Sequence, residues 1–505
     1  MKAFRALARP YEIRFRAHNV AFIADIEKAF LQIELHPNVR DATRFLWLKD
    51  INKPATDTDN LRAYRFQRVL FGATSSPFLL IATIQYHLMK VNTWIATDLI
   101  NSMYMDNVVT GADSQEKAME YYTSSRKYLK DAGMNLREWN SSSPNLNIKA
   151  KEDKCAAKNP QTKVLGLKWD TTLDTLSLSL DKMINNTSQA TQQKMSKRSV
   201  LSIASKVFDP LGFVEPITVK AKIMIQDIWK QNMTWDLEIR NDLKEQWIKW
   251  LDDIKNLSML KIPRPYFSDN ITNKQLHIFC DSSQQAYGAV AYLRGTSGNT
   301  TQTSFVIAKT RVAPVKTQTL PRLELLAALL GANLTTYITK CLQLGKECEI
   351  FYWSDSQIVL SWLSSNKRLQ PFVHTRIRKI KQITGTHKWM FCPTSSNPAD
   401  LITRGISTKM FYQNRALWFE GPSWLKAPTD QWPQVQSKEP ITDIIDSPQM
   451  HIIVKSDSSN ILDSINLERN STLNRAIRVT ATLLHSFTTQ IYGEKGRQSL
   501  LLQLK

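Results

Sequence analysis

The segment MYMDNVVTGADS (residues 103–114) places the carboxylate of Asp106 in a short turn between apolar residues, which predicts a hairpin with this acid at its tip. A second isolated acid, Asp25, follows an apolar run in NVAFIADIEKAFLQIEL (residues 19–35). Proteins bind Mg²⁺ through a few carboxylates together with substrate phosphate oxygens and water. Two such ions can stabilise both the attacking and the leaving oxygen of a phosphoryl transfer. Asp25 and Asp106 on neighbouring strands are therefore a candidate metal site.

The composition favours a basic protein that binds nucleic acid. The chain has 505 residues, enough for about two to four domains. Its formal net charge of +21 and pI near 9.6 indicate a polyanionic partner, with a generically basic surface as the alternative. We expect no membrane partner and no secretion signal, because no apolar run approaches bilayer length and the N-terminus lacks an apolar core. Five irregularly spaced cysteines fit neither a disulfide framework nor a zinc site, which indicates a reducing compartment.

The chain divides into four regions of different character. The first mixes short predicted strands at 20–25, 104–109 and 163–169 with an amphipathic helix at 114–130, an α+β pattern. The second is helical, with a Pro-Gly break between two helices. The third alternates strands and helices, as a mixed sheet covered by helices does. The fourth contains Trp-Pro segments and a predicted helix at 474–487. The predicted bounds are 1–175, 176–268, 269–415 and 416–505.

Four further acids lie on separate predicted elements of the third region. Asp281 follows a predicted strand, and Glu324 projects beside the apolar stripe near the start of a helix. Asp355 and Asp400 each lie near a helix start, where an isolated acid is more often a cap. Capping is therefore the alternative for either of these two alone. Four carboxylates on separate elements of one small domain predict a shared metal site.

Several strings in the first half resemble the palm of reverse transcriptases. The strings ADIEKAFLQI (24–33), FGATSSPF (71–78) and YMDN (104–107) look most like those of BEL/Pao-type LTR retrotransposon polyproteins. DAGMNLREW (131–139) and VLGLKWD (164–170) resemble the palm blocks that follow. The string LSIASKVFDPLGFVEPITVKAKIMIQ, which starts at Leu201, is similar to the thumb of that group. The resemblance covers roughly residues 10–265, and it implies a palm followed by a helical thumb.

This resemblance implies roles for individual residues. Asp25 and Asp106 would be metal ligands, and Phe30 would lie under the incoming sugar and exclude a 2′-hydroxyl, the group that distinguishes ribonucleotides. Taken alone, an aromatic residue such as Phe30 is more often part of a core. The residues that face the nucleotide and the template would further include Gln67, Gly72, Pro77, Tyr104 and Asn107.

The chain departs from the reverse transcriptase pattern in two ways. Asn107 stands where most reverse transcriptases carry a second acid, and an amide adds no charge, so we expect weaker metal binding. The chain starts just before the first palm block, so we expect the cationic fingers to be mostly absent. Arg14 and Arg16 are poor substitutes for them. On this interpretation the polymerase activity of the chain is impaired.

The third region resembles the type 1 ribonuclease H domain that follows the reverse transcriptase in LTR elements. The strings are CDSSQQAYGAV (280–290), LPRLELLAA (320–328), WSDSQIVLSWL (353–363) and NPADLITRG (397–405). The resemblance implies hydrolysis of the RNA strand of an RNA–DNA hybrid, with Mg²⁺ as cofactor and Mn²⁺ as the alternative. The implied ligands are Asp281, Glu324, Asp355 and Asp400.

A basic segment, NKRLQPFVHTRIRKIKQ (366–382), follows the third acid. Phosphate contacts from such a segment would hold the hybrid without reading its sequence. A solvated basic helix is the alternative. The basic residues are Lys367, Arg368, Arg376, Arg378, Lys379 and Lys381.

Taken together, these patterns predict a retrotransposon Pol piece with four parts: a partial palm (1–175), a thumb or connection (176–268), a ribonuclease H-like domain (269–415) and a spacer toward a missing integrase (416–505). Its partners would be template-primer, dNTP and RNA–DNA hybrid. It would be located in the cytoplasm, within a virus-like particle, and also in the nucleus. Its oligomeric state stays open. The main alternative is a catalytically degraded nucleic-acid-binding remnant. An aspartic peptidase, a label sometimes attached to this family, is the weakest alternative because no Asp-Thr-Gly or Asp-Ser-Gly motif is present.

Overall fold

The structure, a computed structural model, describes residues 2–434 with gaps at 54–55, 57, 182–194, 269–270, 299 and 366–368. Helices and sheets are mixed throughout this part of the chain, which confirms the predicted fold class. The helix predicted at 474–487 lies outside the described residues.

The first part of the fold is a four-stranded antiparallel sheet between helical layers. The strands pair in the order β4-β5-β1-β6, and a separate hairpin is formed by β2 and β3. The central strand β1 is buried on both faces, because Phe22 packs toward α3 and α4 whereas Ile23 packs with apolar residues of α1. The elements are α1 (Lys2–Phe15), β1 (Val20–Ile26), β2 (Arg44–Leu48), β3 (Leu61–Arg65), α2 (Ser76–Val91), α3 (Trp94–Ser102), β4 (Met103–Tyr104), β5 (Asn107–Ala112), α4 (Gln115–Asp131), β6 (Leu136–Ser141) and α5 (Pro144–Glu152).

The second part combines a small sheet with three helices. The strands pair in the order β10-β9-β8-β7. The predicted break between two helices is confirmed: the buried carboxylate of Asp209 accepts backbone N–H groups of Gly212, Phe213 and Val214 at 2.8–2.9 Å. The elements are β7 (Gln161–Val164), β8 (Leu167–Asp170), β9 (Thr175–Ser177), α6 (Lys197–Ala204), α7 (Glu215–Lys230), α8 (Asn241–Lys255) and β10 (Ile262–Pro263).

Two stretches that the sequence predicts as single strands are hairpins in the structure, so these two predictions are wrong. The stretch 104–109 is split by a turn in which Met105 has a φ of 59°, so that β4 and β5 form the hairpin around Asp106. The stretch 163–169 is also a hairpin, with Leu165 (φ 51°) and Gly166 (φ 107°) between β7 and β8. Two successive residues with positive φ make the tight turn that matches strand twist. Both apolar turn residues look like strand residues in the sequence.

The third part is a five-stranded mixed sheet, as predicted. Its order is β13-β12-β11-β14-β15; β11, β12 and β13 are antiparallel neighbours, while β14 runs parallel to β11 and β15 parallel to β14. The elements are β11 (Asn273–Ser282), β12 (Ala286–Ser297), β13 (Thr300–Val312), α9 (Leu320–Leu342), β14 (Glu349–Ser354), α10 (Gln357–Ser364), α11 (Pro371–Thr384), β15 (Lys388–Phe391), α12 (Asp400–Arg404), α13 (Thr408–Gln413) and α14 (Arg415–Glu420).

Helix α9 is the one described helix that is long and apolar enough to cross a membrane, so the expectation that no apolar run reaches that length is corrected. In this fold α9 packs against β11 and β12, and 56% of its most apolar window is buried. Length and apolarity here come from a core helix that contacts both the sheet and α11.

The packing continues past residue 415. Trp418 and Leu425 are fully buried, and the indole N–H of Trp418 donates to the Phe213 carbonyl at 2.7 Å. Trp432 lies against the His277 and Phe351 rings on the sheet. Residues 415–432 therefore complete the core of the third part, while the four domain bounds from the sequence stay predictions.

Two buried guanidinium groups and one carboxylate, Arg16, Arg264 and Asp174, join the three parts; we call them the arginine junction. All five N–H groups of Arg264 are used, two on the Asp174 carboxylate and three on backbone carbonyls of residues 15, 18 and 19. Arg16 donates to the carbonyls of Arg264 at 2.9 Å and Phe305 at 2.7 Å. The junction thus connects the end of α1, the small sheet and β13.

We expect Arg264→Met to destabilise the protein by about 3–5 kcal/mol, because it leaves the Asp174 carboxylate without its buried partner and orphans three carbonyls. Urea unfolding followed by tryptophan fluorescence measures this loss. Arg240→Met is the matched control, since Arg240 pairs with Asp242 on the surface, and its unfolding midpoint should match that of the wild type. Equal midpoints for the two variants would contradict the assigned role of the junction.

Candidate active sites

The parallel pairing of β11 with β14 brings two of the predicted acids together. Cys280 on β11 pairs with Ser354 on β14, so the next residues, Asp281 and Asp355, lie side by side at the carboxyl ends of these two strands. Asp281 is 3% exposed and Asp355 is partly buried. Strand register alone therefore predicts two adjacent carboxylates here.

Helix α9 brings the third acid to the same edge. Gly331 permits the close approach of α9 to β11, since a Cβ at this position would lie 2.5 Å from Cys280 Sγ. Two turns earlier in the helix, Glu324 is 8% exposed and its Oε2 is buried without a hydrogen-bond partner in the described part of the chain. Ligand oxygens of Asp281, Glu324 and Asp355 all lie within 4.8 Å of one another.

The fourth acid, Asp400, lies beside this group of three. It begins the short helix α12, and its Oδ1 is paired with Arg404 Nε at 2.7 Å. The charge of Asp400 raises the pKa of both Asp281 and Asp355, and the charge of Arg404 lowers both. The structure thus places all four predicted acids in one neighbourhood, with ligand oxygens of three of them within 4.8 Å of one another.

Neither Asp355 nor Asp400 caps a helix. The N-cap of α10 is Ser356, whose hydroxyl accepts the backbone N–H of Val359. At α12 the N-cap is Ala399, and no side chain caps that helix. The alternative interpretation of these two acids as caps is therefore wrong.

Burial and mutual repulsion raise the pKa values of the three clustered acids. Burial, followed by the charges of Asp281 and Asp355, raises the pKa of Glu324 to about 9. Burial also raises the pKa of Asp281 to about 7, with the charges of Asp355 and Asp400 adding to it. The pKa of Asp355 is raised as well, mainly by burial. Oxygen ligands at this spacing, one of them a buried oxygen without a partner, fit a divalent cation, which would compensate their charge.

In the first sheet, Asp25 and Asp106 also lie close together. Asp25 on β1 pairs with Asn107 on β5, and the Ile26 N–H donates to the Asp106 carbonyl at 2.9 Å. Burial raises the pKa of Asp25 to about 6, and the neighbouring charges of Asp106 and Glu138 add to this effect. Asp25 and Asp106 therefore lie on neighbouring segments at the same end of the β1–β5 pair, while their role as metal ligands stays a prediction.

Sequence analysis missed Glu138 as a neighbour of Asp25. Glu138 has a φ of 54° on β6, next to the register shift between β1 and β6. The string DAGMNLREW contains this acid, but its position beside Asp25 follows from an irregular strand pair that the sequence does not signal.

Asn107 is oriented toward the neighbouring acid. Its side-chain amide donates to Asp106 Oδ1 at 3.0 Å, so it holds the carboxylate that the sequence assigns to metal binding.

Tyr104 on the other strand of this hairpin packs edge-on against Tyr11, with ring centroids 5.6 Å apart.

The predicted sugar-gate residue meets the glycine-containing block. Phe30 lies in a short 3₁₀ helix (Ala29–Gln32), and its ring packs edge-on against Phe71, which is 83% exposed. Gly72 follows with a φ of +92° and open space around it. Pro77 occupies the first turn of α2, and the side chain of Gln67 is exposed. An exposed aromatic floor beside open backbone suits a planar ligand.

Both N-terminal arginines make contacts within the fold. Arg16 belongs to the arginine junction and is 2% exposed, and burial lowers its pKa to about 10. Arg14 donates to the Asn101 carbonyl at 2.5 Å. These contacts are consistent with the expectation that the two residues are poor substitutes for fingers cations, which stays a prediction.

The basic segment forms α11 and is partly described. Lys367 and Arg368 lie outside the described residues, whereas Arg378, Lys379 and Lys381 are exposed. Arg376 stacks on the Phe372 ring at 3.4 Å, and burial lowers its pKa. Helix α11 therefore has an exposed basic face. Phosphate contact and a solvated basic helix are both compatible with it.

Comparison with known families matches both halves of the chain. Residues 13–169 match the family model "Reverse transcriptase (RNA-dependent DNA polymerase)". Residues 196–356 match the model "Pao retrotransposon-like RNaseH-like domain". This second match includes α6, α7 and α8, which contact one another and, through α7, also β13. No curated protein matches the chain significantly.

We expect the metal-free protein to lose stability as the pH rises from about 4.5 to 9, because folded Glu324 keeps a proton that the unfolded chain releases near pH 4.5. Glu324→Gln carries no charge in either state, so it should melt at a higher temperature than wild type at pH 9 and similarly at pH 4.5. Thermal melting in EDTA measures both. Glu245→Gln, at an exposed position, serves as the control. If the melting temperatures of wild type and Glu324→Gln changed in parallel with pH, the raised pKa of Glu324 would be refuted.

Proposed function

Because the chain belongs to the Pao/BEL-type retrotransposon Pol proteins and is an enzyme of the reverse transcriptase/ribonuclease H type, we propose that it hydrolyses the RNA strand of RNA–DNA hybrids with Mg²⁺ as cofactor. The observation that carries this proposal is the trio Asp281, Glu324 and Asp355, with oxygens within 4.8 Å of one another. Asp400 would act at the rim of the same site. A second, weaker activity at Asp25 and Asp106 would be RNA-directed DNA synthesis.

The side chains divide the work of hydrolysis between them. Asp281, Glu324 and Asp355 would hold the divalent cation, and Asp400 would face the substrate side. When bound, divalent cations activate water and stabilise the leaving 3′ oxygen. The raised pKa values of Asp281 and Glu324 indicate that at neutral pH the metal-free site retains protons, which metal binding would release. Preference for RNA would come from contacts to 2′-hydroxyls.

We expect Asp355→Asn to lower the rate of hybrid cleavage by more than about 100-fold, since loss of an inner ligand should exceed the 10- to 100-fold effect of an outer-shell change. Release of labelled RNA fragments from a hybrid in Mg²⁺ measures the rate, with EDTA as a blank. Asp252→Asn, an exposed surface change, should cleave like the wild type. If wild type and Asp355→Asn both released negligible product, the ribonuclease proposal would fail and the nucleic-acid-binding remnant would be favoured.

The proposed polymerase site contains fewer carboxylates than the proposed ribonuclease site. The hairpin presents Asp106 beside the strand that carries Asp25, and the Phe30 ring contacts Phe71. Asn107 supplies an amide to Asp106 where a second carboxylate would add charge. We propose slow, Mg²⁺-dependent primer extension from template-primer and dNTP, with Phe30 as the sugar gate and Gln67, Gly72 and Pro77 on the template side.

We expect Asn107→Asp to raise the rate of primer extension by roughly tenfold, because a carboxylate at this position adds negative charge next to Asp106 and so strengthens the binding of Mg²⁺. Extension of a labelled primer on an RNA template measures the change. Asn38→Asp, at an exposed position outside the Asp106 hairpin, is the control for added negative charge. Adding Asp25→Asn to Asn107→Asp should remove the gain; a gain that persisted would place catalysis elsewhere.

A further inference from the structure

Thr403 is a buried hydroxyl residue one helical turn after Asp400. It is 0% exposed, and its hydroxyl donates to Oδ2 of Asp281. The same hydroxyl lies 3.2 Å from the Asp400 carbonyl, a second acceptor. A hydroxyl has one proton, and an ionised carboxylate accepts a stronger hydrogen bond than a carbonyl does. The proton of Thr403 therefore goes to Asp281 whenever that acid is ionised.

Two further hydrogen bonds fix α12 against the end of β11. The Ser283 hydroxyl donates to the Thr403 carbonyl at 2.8 Å, and the Asn397 amide donates to the Cys280 carbonyl at 3.1 Å. On the next strand, a Cβ at Gly288 would lie 2.5 Å from Ile402 Cδ1, so the helix lies directly on the sheet. The position of the Thr403 hydroxyl is thus set by surrounding structure and not by Asp281 itself.

This arrangement leaves the two oxygens of Asp281 in different environments. Oδ2 accepts the hydrogen bond from Thr403, and a carboxylate oxygen of Asp281 lies within 4.8 Å of ligand oxygens of Glu324 and Asp355. A carboxylate held at one oxygen cannot rotate freely about its last bond, and less order must be imposed when a cation binds. Thr403 itself touches no reacting atom.

We infer that Thr403 is a positioning residue, which orients Asp281 for divalent cations through one hydrogen bond from α12. This inference rests on the proposed ribonuclease function. It predicts a change in metal binding without substrate, as well as a change in cleavage.

The test compares Thr403→Ala with Thr403→Ser. Both variants lose the methyl group, and they differ only in the hydroxyl. Mn²⁺ serves as the probe, with binding to the full chain measured by electron paramagnetic resonance in the absence of nucleic acid. The Mg²⁺ concentration that gives half-maximal hybrid cleavage is the second readout. Thr335→Val, a buried hydroxyl that donates to the Gly331 carbonyl within α9, is the control for loss of a buried hydroxyl.

We expect Thr403→Ala to bind Mn²⁺ roughly 10- to 100-fold more weakly than wild type, and to need correspondingly more Mg²⁺. Thr403→Ser and Thr335→Val should stay close to wild type. Equal Mn²⁺ affinity for Thr403→Ala and Thr403→Ser, whether unchanged from wild type or equally weakened, would overturn the inference. Should wild type bind Mn²⁺ with this pattern yet cleave no hybrid, the proposed ribonuclease function would fail while the positioning role stood.

Discussion

The arginine junction is the constraint on which the arrangement of this chain depends. A buried guanidinium needs hydrogen-bond acceptors to compensate for its lost hydration, and all five N–H groups of Arg264 have one, on the Asp174 carboxylate or on the backbone carbonyls of residues 15, 18 and 19. Arg16 extends the same network to Phe305 on β13. Apart from the Asp174 carboxylate, the acceptors are backbone carbonyls, so these contacts depend on the path of the chain more than on the surrounding side chains. In this way the strand that carries Asp25 and the sheet that carries Asp281 share one core.

Both candidate sites use strand register to bring acids together, and each adds something that strands alone do not provide. At the five-stranded sheet, a parallel pair supplies Asp281 and Asp355, and a helix that approaches closely at Gly331 supplies Glu324. At the four-stranded sheet, an antiparallel pair supplies Asp25 and the hairpin of Asp106. The first site is buried and rich in carboxylates, whereas the second is more open and has an amide at Asn107. This difference in charge is why ribonuclease chemistry is the stronger proposal.

Much of this site geometry follows from local sequence. An acid at the end of an apolar strand must leave the sheet at its edge, so Asp25, Asp281 and Asp355 are readable from the chain alone. Other features depend on contacts between distant segments. Met105 and Leu165 are apolar and resemble strand residues, yet each has positive φ in a tight turn. Glu138 comes near Asp25 through a register shift between β1 and β6. Neither a register shift nor a buried arginine with backbone acceptors leaves a periodic signal.

The aromatic residues after position 415 have a consequence for how this protein is made. Trp418 and Trp432 close over a sheet whose first strand begins at Asn273, so the ribosome must synthesise more than a hundred further residues before that surface is covered. Until then Phe305, Phe351 and their neighbours face water in the nascent chain, where exposed apolar surface invites aggregation. In the reverse transcriptase half, the core between β1 and α4 is made entirely of residues from that half, whereas the opposite face of β1 packs into the core shared with the later residues. Translation speed and chaperone supply should therefore matter most for the second half.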